Sequence, residues 1–212
     1  MKFLTTLLAI CLVFGFSANA QKDPKARQIL DAMSAKYKKT PSFKADFKYI
    51  MENPEEDINE GFKGKILVKG DMYKLLMEGQ EIRFDGQNIW TYSKELDEVQ
   101  VSPNDPDDEE ISISNIFDIY KSGYKYLYLE AQDGGKTEVI DLVPDDQDLS
   151  YYKIRMRIEA STKSLKSFKV FDKSGSRYLY EVVTFAPETG LVDSNFTFSD
   201  SELKGKELID FR

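Results

Sequence analysis

The chain has 212 residues, with 29 basic and 37 acidic side chains, no histidine and a single cysteine, Cys11. It therefore lacks the usual general base, the commonest zinc ligand and, apart from Cys11, any thiol nucleophile, so we expect no enzyme, no metal and no cofactor. An acidic balance without basic clusters argues against nucleic acid as a partner and against electrostatic attachment to anionic lipid. Catalysis by a pair of carboxylates, as in glycosidases, is the alternative that remains, because the distance between two carboxylates in the fold does not follow from their spacing in the sequence.

Residues 1–20 are predicted to be a signal peptide. Lys2 precedes an apolar run from Phe3 to Phe16, and small residues then lead to Ala20, so cleavage is expected before residue 21. The run is shorter than the roughly 20 residues that a membrane-spanning helix needs. Because Cys11 lies inside this run, lipid attachment to it is not expected. Removal of Lys2 leaves 28 basic and 37 acidic side chains, a net charge of −9 on an exported, soluble chain.

The mature chain, residues 21–212, is expected to form one domain that opens with a helix from Pro24 to Lys39. Asp23 is placed to cap this helix, and Pro24 fits its first turn. Apolar side chains recur at helical spacing at Ala26, Ile29, Leu30, Met33 and Tyr37.

Strands are predicted to follow, beginning with the unbroken alternation from Ser42 to Glu52. Short turns join the first six strands, which leaves no room for parallel crossovers and predicts an antiparallel meander. In all, the pattern predicts about 11–12 strands, over residues 42–52, 61–69, 72–78, 81–84, 88–93, 98–102, 124–130, 137–142, 151–160, 165–171, 177–185 and 195–198.

An acidic loop and a short helix interrupt the strands near the middle of the chain. The loop, Pro103 to Glu110, is predicted to be a solvated connection; calcium binding is the alternative, as for the acidic residues 145–148, although neither stretch has the glycine spacing of a calcium loop. The helix is predicted to end near Gly123. Its apolar face consists of Ile113, Ile116, Phe117 and Tyr120.

Tyrosines form stripes in two of the predicted strands. One stripe consists of Tyr124, Tyr126 and Tyr128, and the other of Tyr178 and Tyr180. Such stripes are mostly core or cross-strand pairs, but tyrosine also suits the rim of an apolar groove, where the hydroxyl stays in water.

Four motifs occur in chain order: Ser42-Phe43-x-Ala45-x-Phe47, Gly61-x-x-Gly64 followed by Val68-Lys69, Asp85-Gly86 followed by Trp90-x-Tyr92, and Phe196-x-Phe198. Together with the order of the elements, they resemble the LolA-like family of periplasmic outer-membrane lipoprotein carriers. The resemblance covers nearly all of the mature chain.

The resemblance implies a mainly β fold with two helical segments, an open and incomplete antiparallel β-barrel whose helices act as a lid over its concave apolar face. It implies a periplasmic carrier that takes acylated lipoproteins from an inner-membrane lipoprotein-releasing transporter to the outer membrane, where an acceptor receives them. We expect a monomer. A lipid- or lipoprotein-sensing module, or another envelope interaction module on the same fold, is the alternative.

A half-barrel of this kind offers a groove for acyl chains, because burying each methylene contributes about 0.8 kcal/mol. Members of the family often carry an arginine-proline turn whose arginine bonds to the lid. This chain has Gly70-Asp71 at that turn, so we do not expect the same contact to hold its lid closed. The lid residues are those of the central helix: Ile113, Ile116, Phe117 and Tyr120. The acyl-binding residues are predicted to be Phe43, Phe47, Tyr49, Met51, Phe62, Ile66, Val68, Tyr73, Leu75, Met77, Ile82, Phe84, Trp90 and Tyr92.

Overall fold

A computed structural model describes residues 22–104, 111 and 116–212 of the chain. The predicted signal peptide, residues 105–110 of the acidic loop and Ile113 of the predicted lid lie outside the described residues. None of the helices in the described part of the chain has the length and apolarity needed to cross a membrane.

The described elements are two α-helices and twelve strands, with single 3-10 turns at Ile119–Lys121, Asp133–Gly135 and Asp193–Asn195. The helices are α1 (Pro24–Lys38) and α2 (Asp200–Leu203). The strands are β1 (Ser42–Asn53), β2 (Ile58–Lys69), β3 (Met72–Met77), β4 (Gln80–Phe84), β5 (Asn88–Ser93), β6 (Glu98–Pro103), β7 (Tyr124–Gln132), β8 (Thr137–Pro144), β9 (Tyr151–Glu159), β10 (Leu165–Asp172), β11 (Arg177–Pro187) and β12 (Glu207–Asp210).

All twelve strands form one sheet in the order β12-β6-β5-β4-β3-β2-β1-β11-β10-β9-β8-β7. Strands β7 and β12 are its two edges, so the sheet does not close, which confirms the predicted open barrel. Neighbouring strands are antiparallel except β12, which runs parallel to β6. β1 lies at the centre of the sheet and joins the β2–β6 meander to the β7–β11 meander through its pairing with β11.

Helix α1 forms where the sequence predicts it. The Asp23 carboxylate accepts hydrogen bonds from the backbone N–H of Lys25 (2.7 Å) and Ala26 (3.2 Å), two donors that the first turn leaves without partners. The periodic apolar side chains of the helix, Leu30 and Met33 among them, are fully buried. Burial of each such side chain contributes about 1.5–3 kcal/mol, so α1 is held mainly by its packing against the sheet.

The concave face of β7–β11 is covered by α1 and by residues 116–121, which we call the lid segment. We call this part of the sheet the sealed half, because its cluster of side chains excludes solvent. Its fully buried members include Leu30, Met33, Ile116, Ile140, Leu142, Ile154, Met156 and Ile158.

The contacts of the tyrosine stripes decide between the core and the groove-rim interpretation. Tyr124 and Tyr126 are buried in the sealed half, where the Tyr124 and Tyr151 hydroxyls hydrogen-bond to each other, so the core interpretation holds for them. Tyr180 stacks on Phe168 at 4.5 Å between ring centroids and lies 4.9 Å from Tyr49. Tyr180 therefore stands at the border of the sealed half.

Two predicted elements differ from the structure. No strand forms over residues 195–198, because the described chain there leaves a 3-10 turn and crosses the outer face of the sheet; the twelfth strand is β12. Of the predicted central helix, the described residues show a turn at 116–118 followed by the 3-10 turn Ile119–Lys121. Ile116 and Tyr120 of this segment are nevertheless buried against the α1 core, as expected of a lid.

Candidate functional site

The concave face of β1–β4 is apolar because the strand register aligns the alternating patterns of the four strands. Residues opposite each other in an antiparallel pair point to the same face. Phe47 stands opposite Gly64, Gly64 opposite Met77, and Leu75 opposite Ile82. The register therefore brings twelve of the fourteen predicted groove residues to one face: Phe43, Phe47, Tyr49, Met51, Phe62, Ile66, Val68, Tyr73, Leu75, Met77, Ile82 and Phe84.

Gly64 allows the Phe47 ring to lie directly on the backbone of β2. A Cβ atom at position 64 would overlap the ring carbons of Phe47 and would stand 3.0 Å from the Leu76 carbonyl oxygen. Any larger residue at this position displaces the ring. Gly64 and Phe47 thus form a flat floor at the centre of the concave face.

These twelve residues differ in burial. Phe43, Phe47, Ile66 and Val68 are buried, whereas the other eight are half-buried or exposed, and Phe62 has the largest exposed fraction, 39%. We call these eight residues the open trough. They are Tyr49, Met51, Phe62, Tyr73, Leu75, Met77, Ile82 and Phe84.

Phe117 of the lid segment marks the boundary between the open trough and the sealed half. Its ring stacks on Tyr37 of α1 at 3.7 Å and meets Phe43 of β1 edge-on at 6.2 Å. Among the described residues outside the sheet, Phe117 and Tyr37 are the ones whose rings lie against Phe43. Movement of the lid segment would therefore expose Phe43 and extend the trough.

Asp118 fastens the lid segment to α1. Its carboxylate accepts hydrogen bonds from the Ser34 hydroxyl and from Lys121 Nζ (2.5 Å), and Lys38 Nζ lies 3.4 Å away. Burial raises the pKa of Asp118, but the hydrogen bonds from Lys121 and Ser34 outweigh it, so the pKa lies below its ordinary value. Tyr120 adds a second fastening by donating a 2.6 Å hydrogen bond to Asp31. These contacts hold the lid without the arginine turn of the family.

The Gly70-Asp71 turn borders a cavity of about 290 Å³ at the mouth of the trough. The cavity is lined by both residues of the turn, by Phe43 and Phe117, and by Lys38 at the end of α1. Gly70 has φ +58, and a Cβ there would meet nothing within 4 Å. The turn thus leaves space between the sheet and the lid where the family's arginine is expected.

Two tyrosines of strand β11, which were not among the predicted acyl-binding residues, lie beside the open trough. Tyr178 and Tyr180 stand opposite Met51 and Tyr49 on the concave face. Only the pairing of β1 with β11 brings them there, and no local sequence pattern reveals a partner so distant along the chain. The alternation of Tyr178 and Tyr180 was the available sequence signal that both face the same side of the sheet. The groove-rim interpretation fits Tyr178, whose ring stacks on that of Tyr49 at 6.3 Å between ring centroids.

Trp90 and Tyr92 do not line the trough, which corrects the prediction. Phe84 of β4 stands opposite Ile89 of β5, so the concave positions of β5 are Ile89 and Thr91. Trp90 pairs with Arg83 instead and points to the outer face. The error arises because the larger apolar side chains of β5, Trp90 and Tyr92, lie on the outer face, and alternation alone does not say which set faces inward.

The outer face at Trp90 is covered by residues 196–203, which we call the strap. Phe198 and Leu203 pack on Trp90, Val99 and Val101. Thus Phe196-x-Phe198 is a covering segment and not a strand.

Arg83 holds the strap and is only 3% exposed. Its guanidinium donates to the Thr197 carbonyl and to Glu202 Oε1 (2.7 Å) and lies 3.8 Å from the centre of the Phe198 ring. The hydrogen bond from Arg83 lowers the pKa of Glu202 to about 2. The strap is thereby attached through a charge pair with one deeply buried member.

The strap is expected to loosen on acidification. The pKa of Glu202 is about 2 in the folded state and 4.5 ordinarily. The free energy with which ionised Glu202 holds the strap is therefore fully present above pH 4.5 and is lost as the pH falls towards 2. Trp90, the only tryptophan of the chain, should then become exposed. Its emission should shift to longer wavelength in this range, before far-ultraviolet circular dichroism reports global unfolding.

Glu202→Gln is the control for this transition, because Asp85 also contacts Trp90. The indole N–H donates to Asp85 Oδ2 at 2.9 Å. Burial raises the pKa of Asp85, but this bond and backbone N–H groups outweigh it, so that pKa is lowered as well. An unchanged transition in Glu202→Gln would assign the signal to Asp85 and contradict the prediction.

The acidic side chains of the described residues do not cluster in the way that a metal site requires. No group of three or more acidic or cysteine side chains is placed to hold a metal ion in those ranges. The acidic turn at residues 145–148 is instead a local hydrogen-bonded turn, in which the Asp148 backbone N–H donates to Asp146 Oδ1 (2.7 Å).

Comparisons with known proteins agree with this architecture. The sequence profile of a family described as outer membrane lipoprotein carrier protein LolA matches residues 38–199. No curated protein matches the chain in sequence.

Among solved structures, an uncharacterized conserved protein from Thermus thermophilus is similar with a TM-score of 0.58 and 12% identity, over 88% of this chain and 99% of that one. A LolA superfamily protein from Nitrosomonas europaea is similar over 82% of this chain and 97% of its own, at TM-score 0.46 and 14% identity. LprF from Mycobacterium bovis is similar over 82% of this chain and 99% of its own, at TM-score 0.43 and 12% identity. At an identity of 12%, the similarity to the Thermus thermophilus protein supports the fold alone.

Proposed function

The chain belongs to the family of outer membrane lipoprotein carrier proteins, LolA, and from this membership we propose that it carries the acyl chains of lipoproteins in the open trough without covalent chemistry. The proposed route runs through the periplasm, from an inner-membrane lipoprotein-releasing transporter to an acceptor at the outer membrane. Residues 21–212 would form the single carrier domain after removal of the signal peptide.

One observation supports the proposal most strongly: the apolar concave face is divided into a sealed half and an open trough. An ordinary core would bury side chains such as Leu75, Ile82 and Phe84, yet they are only half-buried. Apolar surface contributes about 25 cal/mol per Å² when it is removed from water, so an acyl chain that covers this trough gains stability along its length. Met51 and Met77 would help, because thioether side chains fit irregular shapes.

The lid segment would control how much of the concave face an acyl chain reaches. Phe117 covers Phe43, and Asp118 fastens the segment to Ser34 and Lys38 of α1. A ligand that displaces Phe117 must offset the loss of its stacking on Tyr37. We propose that the lid and the acyl chain compete for the same aromatic surface.

The proposal is tested with the mature protein purified from an envelope extract. We expect acylated protein or lipid to copurify and to be identified by mass spectrometry, and we expect the delipidated protein to extract lipoprotein from inner-membrane vesicles. A protein that is empty in the first assay and inactive in the second contradicts the carrier function. The alternative, an interaction module with a permanently packed interior, predicts in addition that an apolar dye gains no fluorescence from the native protein.

A cross-link between α1 and the lid segment should block loading. The Ser34 hydroxyl is hydrogen-bonded to the Asp118 carboxylate, and we expect cysteines at the two positions to form a disulfide, which mass spectrometry of the purified protein verifies. The native Cys11 lies in the predicted signal peptide, so the mature double variant Ser34→Cys/Asp118→Cys has only the two new thiols. The oxidised form should take up less lipoprotein than the same protein after reduction. Equal uptake by both forms would mean that the lid segment need not move.

A further inference from the structure

A second recess lies on the outer face of the sheet, across β8–β11 and β1. It has a volume of about 790 Å³, and we call it the basic groove because Glu181 is the only carboxylate among its described lining residues. Its cations are Lys48, Arg155, Arg157, Lys166, Lys169 and Arg177.

The basic groove is assembled by strand register and not by any basic run in the sequence. Arg155 and Arg157 alternate along β9 and therefore share one face. Lys169 of β10 stands opposite Arg155, and Lys48 of β1 stands opposite Glu181 of β11. The groove is therefore a positively charged region on a chain whose formal net charge is −8.

Neighbouring carboxylates balance only part of this charge. The paired cations are Arg155 with Asp141 (2.7 Å), Arg157 with Asp133 (3.3 Å), Lys166 with Asp133 (3.6 Å), and Lys169 with Glu52 (3.0 Å). Lys48 and Arg177 have no carboxylate oxygen within 4.0 Å in the part of the chain that the structure describes. Lys48 and Arg177 are thus the two cations of the groove without an ion pair in the described part of the chain, and Glu181, opposite Lys48 in the register, is the one carboxylate of the lining.

Apolar side chains lie between the cations. Phe171, Leu179 and Val183 line the groove, and Val183 is 56% exposed. The same-face side chains of an extended segment are spaced about 7 Å apart, as are those of Arg155 and Arg157 on β9. A segment with an acidic residue at every second position would therefore match both the charge and the spacing of this recess.

We propose that the basic groove docks an extended, acidic segment of a partner protein. Lys48 and Arg177 are exposed, whereas the side chain of Lys169 is only 25% exposed, so a narrow peptide that enters the groove reaches all three more readily than a flat lipid surface does. The groove is on the face opposite the open trough, so docking would leave the trough accessible. Complementary charge would mainly accelerate and orient the encounter.

The test uses the purified mature protein and a fluorescein-labelled peptide of alternating glutamate and valine, followed by fluorescence anisotropy. We expect binding that weakens when NaCl is raised from about 50 to about 300 mM, because salt screens exposed charges. The double reversal Lys48→Glu/Arg177→Glu should weaken binding about tenfold or more. These two side chains lie outside the trough, so uptake of lipoprotein from vesicles should be unchanged.

A matched reversal distinguishes the groove from net charge. Lys94→Glu/Lys204→Glu changes the charge equally at exposed positions outside the groove and should weaken binding by no more than about twofold. The inference is overturned if both double variants lose affinity equally, or if the peptide with glutamine in place of glutamate binds as well. It is also overturned if vesicles containing phosphatidylglycerol bind through Lys48 and Arg177 while the acidic peptide does not.

Discussion

Phe62→Glu is expected to abolish acyl loading while leaving the protein folded. Phe62 is the most exposed member of the open trough, so the substitution removes little packing beyond its contact with Tyr49, whose ring centre is 6.3 Å away. An acyl chain lying over position 62 would have to desolvate the new carboxylate or protonate it. Protonation at pH 7 of a group with a pKa of about 4.3 costs roughly 4 kcal/mol, which corresponds to a several-hundredfold loss of loading.

The measurement is the amount of lipoprotein extracted from inner-membrane vesicles, compared with the unaltered protein. Phe62→Gln should retain more activity, because an amide loses less on desolvation than a carboxylate does. Leu96→Glu introduces the same charge at a turn residue that is 67% exposed and outside the trough, and it should load normally.

Lower pH provides a further check on Phe62→Glu. Near pH 5 the protonation cost falls to about 1 kcal/mol, so loading should recover by about two orders of magnitude. Normal loading by Phe62→Glu at pH 7 would place the acyl chains outside the trough.

Arg83→Leu is expected to release the strap and to lower the free energy of unfolding by about 2 kcal/mol. Removing one member of a buried ion pair costs about 3–5 kcal/mol. A smaller loss applies here because the Glu202 side chain is 42% exposed and regains water, and because Glu81, the other carboxylate that contacts Arg83, keeps its 2.8 Å ion pair with Lys74. The variant also loses the guanidinium that lies on the Phe198 ring. Chemical denaturation measures the stability, and the emission of Trp90 at neutral pH reports the strap.

Two variants test the cause of this loss. Arg177→Leu removes an exposed arginine without a carboxylate partner among the described residues, and it should change stability by no more than about 0.5 kcal/mol. Arg83→Leu/Glu202→Leu should recover part of the loss, because no unpaired carboxylate remains at position 202. If Arg83→Leu leaves the emission of Trp90 unchanged, another contact fixes the strap.

Local patterns account for what was predicted correctly. The alternation of Phe43, Ala45 and Phe47 and the short turns after β2 and β3 are readable along the chain, so the first meander and most of the trough were predicted. The capping residue Asp23 and the spacing of Leu30 and Met33 likewise located α1.

What was missed depends on contacts between distant residues or on a choice between two faces. Trp90 was assigned to the wrong face because β5 carries its larger apolar side chains on the outer face, where the strap covers them. The strap and the neighbours of Tyr49 on β11 required knowledge of the order of the strands. The basic groove was missed because its cations lie on four strands, for example Lys48 on β1, Arg155 on β9 and Lys169 on β10, and meet only in the sheet.

The central position of β1 bears on how the chain folds. Contacts within each meander join residues close in sequence, whereas the pairing of β1 with β11 joins Asp46 and Thr184, which are 138 residues apart. Closing so long a loop is slow, and domains rich in such contacts fold slowly. We expect the two meanders to form first, and the long-range pairings of β1 with β11 and of β12 with β6 to form later and to limit the rate of folding. For the export that we propose, slow completion of the sheet would keep the chain unfolded until it has crossed the membrane.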